Sequence, residues 1–384
     1  MRYSYCLKNG RIIDPACGID RIGDIYIKNS RIAEPPAGQE VIVQETVDAS
    51  ACLVLPGLID FHTHLNHRHS DYGLQPDAAT FPHAVTSAVE PGSAGSANFE
   101  GFYRDVVCAS NTTIKSFVNV TALGIATAMH TESLDPATYD LPRLEYLFER
   151  YPEQLLGLKL RFGKMATGSL GLEPLRRGAE MARHLDTSLY LHVAAPEYSY
   201  DEILSHFAPG DYLGHCFQDK GGPHSILDEN GKIRTSAREA RERGVIFDAA
   251  FGRRNLCSFK IMRQAILEGF PPDIISTDTV AATIFGPEVF GLPYVMSVFL
   301  AAGMPLADIV SAVTQIPARH MRMEGQIGTL APGALADVAI LHIREKPMTF
   351  TGYSGDTLSG DKLFVPQMAF KAGRVVFRQI DFTF

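Results

Sequence analysis

Three histidines fall within LPGLIDFHTHLNH, residues 55–67. Two of them, His62 and His64, are separated by one residue at the end of an apolar run, so both are expected on one side of a β-strand. Imidazoles held in this way are common ligands of divalent metal ions. The pair alone leaves a second interpretation open, because short motifs arise by chance and buried histidines are often hydrogen-bonded core residues.

Four further polar side chains interrupt short apolar runs. They are Lys159 in LGLKLR, His192 in LYLHVA, His215 in YLGHCF and Asp278 in IISTDT. A buried lysine or aspartate is costly unless it is paired or bound to a metal. If these runs are strands of one barrel, all of these side chains meet the histidine pair at its carboxyl-terminal end. Histidine nitrogens together with carboxylate oxygens favour zinc, so the set predicts a metal centre.

The segment that carries these residues alternates short β-branched runs with amphipathic helical patterns such as PLRRGAEMARHL and SFKIMRQAILEG. Eight strands over about 280 residues predict an α/β fold, a (β/α)₈ TIM barrel spanning residues 53–330. The eight predicted strands are LVLPGLIDFHTH, HAVTSAVEP, TIKSFVNVTAL, LLGLKLRF, SLYLHV, DYLGHCF, GVIFDAA and DIISTD.

The two ends of the chain share a different pattern. Residues 3–50 and 335–379 contain short strand-like runs, separated near the amino terminus by Asn-Gly and Asn-Ser turns that are typical of hairpins. Each end is too small to form a good core alone. We therefore expect one small β-sandwich domain assembled from both termini, residues 1–52 and 331–384, with the barrel inserted between them.

The composition excludes several classes of partner. The formal net charge is -8 and the basic residues are scattered, so no nucleic acid is expected as a partner. No apolar run approaches the roughly 20 residues that span a bilayer, and the first residues lack the pattern of a secretory signal. The six cysteines are widely spaced and predict free thiols in a cytoplasmic protein. A homo-oligomer is expected from the general prevalence of symmetric assemblies.

The polar set and its surroundings resemble the amidohydrolase superfamily, in particular its dihydroorotase-like and deacetylase-like branch. The resemblance covers nearly the whole chain and includes LPGLIDFHTH, AVTSAVEPGSAG, GLKLR and GQIGTLAPGALADVAIL. The family pattern is an HxH pair, a lysine, two histidines and an aspartate on strands 1, 4, 5, 6 and 8. It maps onto His62, His64, Lys159, His192, His215 and Asp278 with no member missing.

The resemblance implies a binuclear centre with two divalent metal ions, for which zinc is the expected element. Lys159 would react with CO2 to form a carbamate that bridges both metals. The first metal would be bound by His62, His64 and Asp278, and the second by His192 and His215. Lys164 is a rival for the carbamate, but it lies in a Gly-rich loop, whereas Lys159 lies inside an apolar strand.

A centre of this kind implies hydrolysis of an amide or ester bond in a small-molecule substrate. A metal-activated hydroxide would attack the carbonyl carbon, and Asp278 would transfer the proton to the leaving group. We expect removal of an acyl group from a small carboxylate-bearing compound such as an N-acyl amino acid. The alternatives are a cyclic amidase of the dihydroorotase or hydantoinase type, a mononuclear deaminase and a non-catalytic barrel scaffold. The deaminase is disfavoured because Lys159 is present and Glu197 is five residues beyond His192.

The residues that select the substrate are less clearly marked in the sequence. Arg161 is two residues beyond Lys159 and therefore faces the same side of the strand, where it could bind a substrate carboxylate or form a structural salt bridge. His67 and His69 could line the pocket, but the loop that carries them is expected to be solvated. Possible apolar wall residues are Tyr72, Tyr294 and Phe285.

Overall fold

The computed structural model describes residues 2–38, 40–219, 224–252, 256–285, 290–352 and 355–382. Its strands are β1 (Arg2–Asp14), β2 (Ile19–Lys28), β3 (Arg31–Ala33), β4 (Ile42–Asp48), β5 (Cys52–Pro56), β6 (Leu58–Asp60), β7 (Val85–Glu90), β8 (Thr113–Asn119), β9 (Leu155–Phe162), β10 (Ser188–Val193), β11 (Tyr212–Gly214), β12 (Ile246–Asp248), β13 (Val338–Thr351), β14 (Thr357–Lys371) and β15 (Arg374–Arg378). Its α-helices are α1 (Pro76–Thr80), α2 (Phe99–Phe102), α3 (Leu141–Arg150), α4 (Lys164–Thr167), α5 (Glu173–His184), α6 (Tyr200–Ser205), α7 (Thr235–Glu242), α8 (Phe259–Leu267), α9 (Leu292–Ala301), α10 (Leu306–Ala312) and α11 (Gln315–His320).

Strands β6 to β12 form a seven-stranded sheet in which each strand pairs with the next one along the chain. All of these pairs are parallel. The segment 274–279 forms parallel bridges at both edges: Ile274 pairs with Asp248, the last residue of β12, and Thr279 pairs with Thr63, which follows β6. The parallel sheet is therefore curled, and its two edge strands approach the same short segment.

Asp60 joins the edge strand β6 of this sheet to the segment 274–279 through hydrogen bonds. Its carboxylate accepts hydrogen bonds from the Thr277 amide at 3.0 Å and from the Thr277 hydroxyl at 2.6 Å. Burial raises the pKa of Asp60 to about 7, although the hydrogen bonds from Thr277 oppose that shift. This carboxylate therefore fixes the chain immediately before His62 relative to the chain immediately before Asp278.

A separate mixed sheet draws its strands from both ends of the chain. Its order is β15-β14-β13-β5-β1-β2-β3, and β4 also pairs with β1. Its core contains Leu7 and Ile27 from the amino-terminal part, together with Ile340 and Phe370 from the carboxyl-terminal part. A sheet shared by both termini was expected, whereas the domain limits at residues 52/53 and 330/331 stay a prediction.

The first strand predicted for the barrel is divided between the two sheets. Its first part, Cys52–Pro56, pairs with β1 and β13 in the mixed sheet, and Leu58–Asp60 pairs with β7 in the parallel sheet. The break falls at Gly57, whose amide donates a hydrogen bond to the carbonyl of Asp337 at 2.8 Å. The chain therefore passes from one sheet to the other directly before the histidine pair.

The predicted amphipathic helices form where the apolar periodicity indicated. Helix α5 buries Leu175, Ala179 and Ala182, which are spaced to share one face, and it packs against β9 and β10. This packing supports the two strands that carry Lys159 and His192. Within the described ranges, none of the helices combines the length and the apolar character that a membrane span requires.

A buried ion pair links the mixed sheet to the parallel sheet. Lys371 Nζ at the end of β14 lies 2.6 Å from Asp337 Oδ2 and donates a hydrogen bond to the hydroxyl of Thr113, the first residue of β8, at 2.7 Å. Asp337 is 1% exposed and also accepts a hydrogen bond from the Ala372 amide. Each partner of this pair therefore depends on the other for charge compensation.

We expect Asp337→Ala to lower the free energy of unfolding by about 3 to 5 kcal/mol, because it leaves the Lys371 ammonium buried without a counter-ion. Denaturant unfolding followed by circular dichroism measures the change. The double variant Asp337→Leu with Lys371→Met is the control, since replacing both charges by apolar groups should recover most of the loss. A single variant as stable as the wild type would contradict a structural role for this pair.

Candidate metal centre

The six polar side chains singled out in the sequence meet at the carboxyl-terminal end of the parallel sheet. His62 and His64 follow β6, Lys159 lies in β9, and His192 lies in β10. His215 follows β11, and Asp278 lies within the segment 274–279 that bridges both edges of the sheet. The imidazole of His62 lies 5.7 Å from that of His64 and 5.4 Å from that of His215, and the rings of His192 and His215 are 4.2 Å apart.

His62, His64 and Asp278 form the tightest cluster. The Oδ1 atom of Asp278 lies 3.4 Å from His62 Nε2 and 3.3 Å from His64 Nε2. One ligand atom from each of the three residues lies within 4.8 Å of the other two. Two ligands about 2.0 to 2.1 Å from a tetrahedral zinc ion are separated by about 3.4 Å, so these spacings fit one shared cation.

The tautomer of His62 follows from its hydrogen-bond partner. Its Nδ1 atom lies 2.6 Å from the hydroxyl of Tyr190, and that hydroxyl donates its own proton to Asp248 Oδ2 at 2.7 Å. The hydroxyl oxygen is therefore the acceptor toward His62, and the ring proton resides on Nδ1. The unprotonated Nε2 atom consequently presents its lone pair to Asp278.

The same reasoning applies to His64. Its Nδ1 atom lies 2.6 Å from the Ser93 hydroxyl, which donates to the buried carboxylate of Glu90 through a short hydrogen bond. Glu90 also accepts hydrogen bonds from the amides of Gly92 and Ser93, each at 3.0 Å. Ser93 therefore accepts the proton of His64 Nδ1, and the lone pair on His64 Nε2 also faces Asp278.

His192 and His215 form a second pair of candidate metal ligands. His215 Nδ1 donates to the carbonyl oxygen of Ala250 at 2.6 Å, so its Nε2 atom bears the lone pair and lies 2.8 Å from His192 Nδ1. Burial lowers the pKa of His215 to about 4 and that of His192 well below its usual value. Both rings are therefore neutral near pH 7, as metal binding requires.

The resulting arrangement has an electrostatic consequence. The lone pairs of His62 and His64 face a carboxylate oxygen, and no described residue forms a hydrogen bond with His62 Nε2. Burial holds the pKa of His62 well below its ordinary value, so protonation does not relieve this arrangement near pH 7. Buried acceptors that face one another are unfavourable unless a cation lies between them. The donor set therefore fits a divalent metal ion.

Lys159 is an unusual neighbour for these ligands. It is 1% exposed, and no described residue accepts a hydrogen bond from its Nζ atom, which lies 4.4 Å from the centre of the Tyr190 ring. Burial lowers the pKa of Lys159 to about 8. Gly92, with a φ of +97°, makes room for it, because a Cβ atom there would lie 2.4 Å from Lys159 Cβ.

Two of the six residues have an uncommon backbone conformation. His215 and Asp278 have φ angles of 57° and 52°, in the left-handed region that non-glycine residues seldom occupy. Asp278 is held there by a hydrogen bond from its amide to the carbonyl of His62 at 2.7 Å. Residues held in this region are enriched at functional sites.

The cavity above these residues has a volume of about 250 Å³. Arg161 lines it, and its Nε and Nη2 atoms donate to the two oxygens of Glu132, each at 2.6 Å. Burial by itself lowers the pKa of Arg161, but Glu132 and, to a smaller extent, Tyr72 raise it above its ordinary value. The lining residues are His64, Tyr72, Ile125, Lys159, Arg161, His192, Gly252, Leu256, Asp278, Val280 and Thr283.

The remaining residues considered in the sequence lie elsewhere, apart from Tyr72. The side chain of Lys164 is 71% exposed, and its Nζ atom lies 3.2 Å from Glu197 Oε1. Lys164 is therefore a solvent-exposed lysine, unlike the buried Lys159. His67 and His69 line a different cavity, in which His69 pairs with Asp105 at 3.3 Å. Tyr294 packs against Phe290 and Phe350, and Phe285 is 77% exposed.

Sequence reasoning missed the residues that orient the histidines, namely Glu90, Ser93, Tyr190 and Asp248. For three of these residues, the sequence contains a feature that could have indicated the role. Glu90 and Asp248 are acidic residues at the ends of apolar runs, and Tyr190 lies two residues before His192 on a buried strand. Ser93 carried no signal, because serine is an ordinary loop residue.

Three comparisons bear on the family. The model of the amidohydrolase family matches residues 182–376. A protein named deacetylase from Agrobacterium fabrum (strain C58) is 32% identical over 326 residues, which cover 85% of this chain and 79% of that protein. A solved structure described as a dihydroorotase is 30% identical with a TM-score of 0.85 and covers 97% of each chain.

The chain belongs to the amidohydrolase family. It is therefore a metal-dependent hydrolase that acts on carbon–nitrogen bonds, as the sequence predicted. A solved structure described as an adenine deaminase is also similar, with 27% identity and a TM-score of 0.85 over 98% of this chain and 100% of the other. Family membership thus leaves the substrate open.

We expect Tyr190→Phe to weaken zinc binding by about 10- to 100-fold, because His62 Nδ1 loses the acceptor that fixes its tautomer and ring orientation. Competition with a fluorescent zinc chelator measures the affinity. Tyr200→Phe is the matched control, since Tyr200 is an equally buried tyrosine whose hydroxyl accepts a hydrogen bond from Gln218. Zinc affinities that are equal in wild type and Tyr190→Phe would contradict this orienting role.

Proposed function

We propose that this amidohydrolase removes an acyl group from a small carboxylate-bearing compound, such as an N-acyl amino acid, at a binuclear zinc centre. The observation that carries the proposal is the convergence of His62, His64 and Asp278 beside a buried Lys159 that no described residue pairs with. A cavity of about 250 Å³ above them suits a small molecule.

In this proposal His62, His64 and Asp278 would hold one metal ion, and His192 and His215 would hold the other. Lys159 would supply a further ligand as a carbamate formed with CO2. A free ammonium has no lone pair for a metal, whereas a carbamate supplies two anionic oxygens. The lowered pKa of about 8 supports this reaction, because a neutral amine is the form that attacks CO2. When bound, the metals supply an activated hydroxide and polarise the substrate carbonyl.

The residues of the chain supply the proton transfer and the orientation. Asp278 accepts the proton of the attacking water and delivers it to the leaving nitrogen or oxygen as the carbon–nitrogen or ester bond breaks. The backbone of Asp278 is held by the hydrogen bond from its amide to the carbonyl of His62, and its carboxylate lies beside the imidazoles of His62 and His64. Arg161, at the wall of the same cavity, would contact a carboxylate of the substrate.

The finer architecture belongs to the same proposal. We infer that β6 to β12 and the segment 274–279 correspond to the eight strands of a (β/α)₈ barrel, because the bridges at both sheet edges support closure. The long strands β1, β13 and β14 would form the β-sandwich. A cytoplasmic location is supported by six cysteines that are all free thiols.

A cyclic amidase is the second candidate, favoured by the similarity to the structure described as a dihydroorotase. The deacetylase-named relatives favour deacylation, since two of them are 32% identical over 85% of the chain. A deaminase is disfavoured because Glu197 is half-exposed and pairs with Lys164 instead of lining the cavity. A non-catalytic scaffold would gain nothing from six converging ligand side chains.

Lys159→Ala should abolish the carbamate and reduce the zinc content from about two ions to one or none per chain. After incubation with ¹³C-bicarbonate and zinc, the wild type should show one carbamate resonance in its ¹³C spectrum, and elemental analysis should give the metal count. Lys164→Ala is the matched control and should match the wild type in both measurements. A carbamate resonance that persists in Lys159→Ala, or disappears in Lys164→Ala, would show that the carbamate does not form on Lys159.

The choice between the two hydrolytic reactions is tested with zinc-loaded protein. We expect release of acetate from at least one member of a panel of N-acetyl amino acids, and no opening of dihydroorotate or hydantoin rings. Asp278→Asn should lower kcat by at least 100-fold on the same compound, since it removes the proton carrier. Ring opening without any deacylation would refute the proposed substrate class and favour the cyclic amidase.

A further inference from the structure

Arg161 is the residue through which the cavity could recognise a charged substrate. It lies two residues beyond Lys159 on β9 and lines the same cavity as His192 and Asp278. Lys159 is the other lysine or arginine among the described lining residues, and it is 1% exposed. An arginine in this position can bind an anion only if its guanidinium is held in a productive direction.

Glu132 holds that guanidinium. Its two carboxylate oxygens accept hydrogen bonds from Arg161 Nε and Nη2, which is the two-point contact that fixes a guanidinium most firmly. The side chain of Glu132 is 3% exposed, and that of Arg161 is 23% exposed. Glu132 therefore binds the edge of Arg161 formed by Nε and Nη2, and Tyr72 is a second hydrogen-bonding neighbour of the guanidinium. The outer edge, formed by Nη1 and Nη2, carries the three remaining N–H groups, which remain for Tyr72 and for another partner.

The loop that carries Glu132 is fastened on both sides of this residue. On one side, Asp71 accepts hydrogen bonds from the Thr127 hydroxyl at 2.8 Å and from the Ala128 amide at 3.2 Å. On the other side, the Tyr139 hydroxyl donates to the carbonyl of Leu134 at 2.9 Å. Asp71 belongs to the segment that follows the histidine pair, so the start of the loop that carries Glu132 is hydrogen-bonded to that segment.

A substrate carboxylate would not displace Glu132. Displacement would leave a buried carboxylate without its counter-ion, which costs more than the new contact returns. The substrate must therefore use the remaining edge of the guanidinium while Glu132 stays bound. This constrains the anionic group of the substrate to one direction from the metal centre.

We propose that Glu132 is a positioning residue that directs the outer edge of Arg161 toward the carboxylate of the substrate, and that this pair selects anionic over neutral acyl compounds. The inference rests on the proposed function, because it assigns the carboxylate-binding element of the same site. A positioning role for Glu132 differs from that of a purely structural ion pair in one measurable effect. Loss of Glu132 should weaken binding of anionic compounds and leave binding of matched neutral compounds unchanged.

The experiment compares N-acetyl amino acids, in both enantiomeric forms, with the carboxamides of the same compounds. The zinc-loaded wild type and the variants Glu132→Gln and Arg161→Gln are tested, and kcat and KM are measured for compounds that are hydrolysed. For compounds that are not hydrolysed, isothermal titration calorimetry gives Kd. Glu100→Gln is the matched control, since Glu100 pairs with Arg143 on the helical surface away from the cavity.

The wild type and Glu100→Gln should prefer the carboxylate to the carboxamide by at least tenfold in KM or Kd. In Glu132→Gln and Arg161→Gln that preference should fall to within about threefold through weaker binding of the carboxylate, while the Kd of the carboxamide stays within about threefold of wild type. An unchanged zinc content and melting temperature in each variant show that the fold and the metal centre are intact.

Three results would overturn the inference. A wild type without preference for the carboxylate would exclude an anionic group at Arg161. A preference lost in Arg161→Gln but retained in Glu132→Gln would show that Arg161 needs no positioning, and tighter binding in Glu132→Gln would show that Glu132 screens Arg161. Failure of hydrolysis with an intact binding preference would count against the proposed reaction and not against Glu132.

Discussion

The centre of this protein depends on the direction of three imidazole lone pairs. Each Nδ1 proton of His62, His64 and His215 is committed to a fixed oxygen acceptor, so each Nε2 atom faces inward as an acceptor. Asp278 brings a carboxylate oxygen within 3.4 Å of two of them. Buried acceptors that face one another are unfavourable unless a cation lies between them, so the cluster of His62, His64 and Asp278 favours a bound metal ion.

The surrounding fold fixes the orientation of these imidazole rings. Tyr190 with Asp248 and Ser93 with Glu90 fix the rings, while Asp60 ties the chain before the histidine pair to the chain before Asp278. Asp60, Glu90 and Asp248 are the last residues of parallel strands, while Tyr190 lies within β10 and Ser93 follows β7. These strands are supported by packed helices and by the buried link to the mixed sheet. The substrate-facing wall is built differently, from a loop whose Glu132 fixes Arg161.

The sequence predicted the six central residues because each of them interrupts an apolar run, where an unpaired polar side chain has no ordinary explanation. It did not predict Glu132, since a glutamate in the irregular stretch TESLDPAT has no period or neighbour that marks it. The division of LVLPGLID between two sheets was also missed, because the break at Gly57 interrupts the strand pairing but not the apolar character of the run. Arg161 was expected at the mouth of the barrel, and in the structure it lines the cavity. Its pairing with Glu132 depends on the folded loop, which the sequence alone does not show.

The most direct test of the central claim is anomalous scattering from a crystal grown with zinc and bicarbonate. The account predicts two zinc peaks, one surrounded by His62, His64 and Asp278 and the other by His192 and His215, with a modified Lys159 contacting both. A structure without bound zinc at these histidines, or with Lys159 unmodified and directed to solvent, would contradict it.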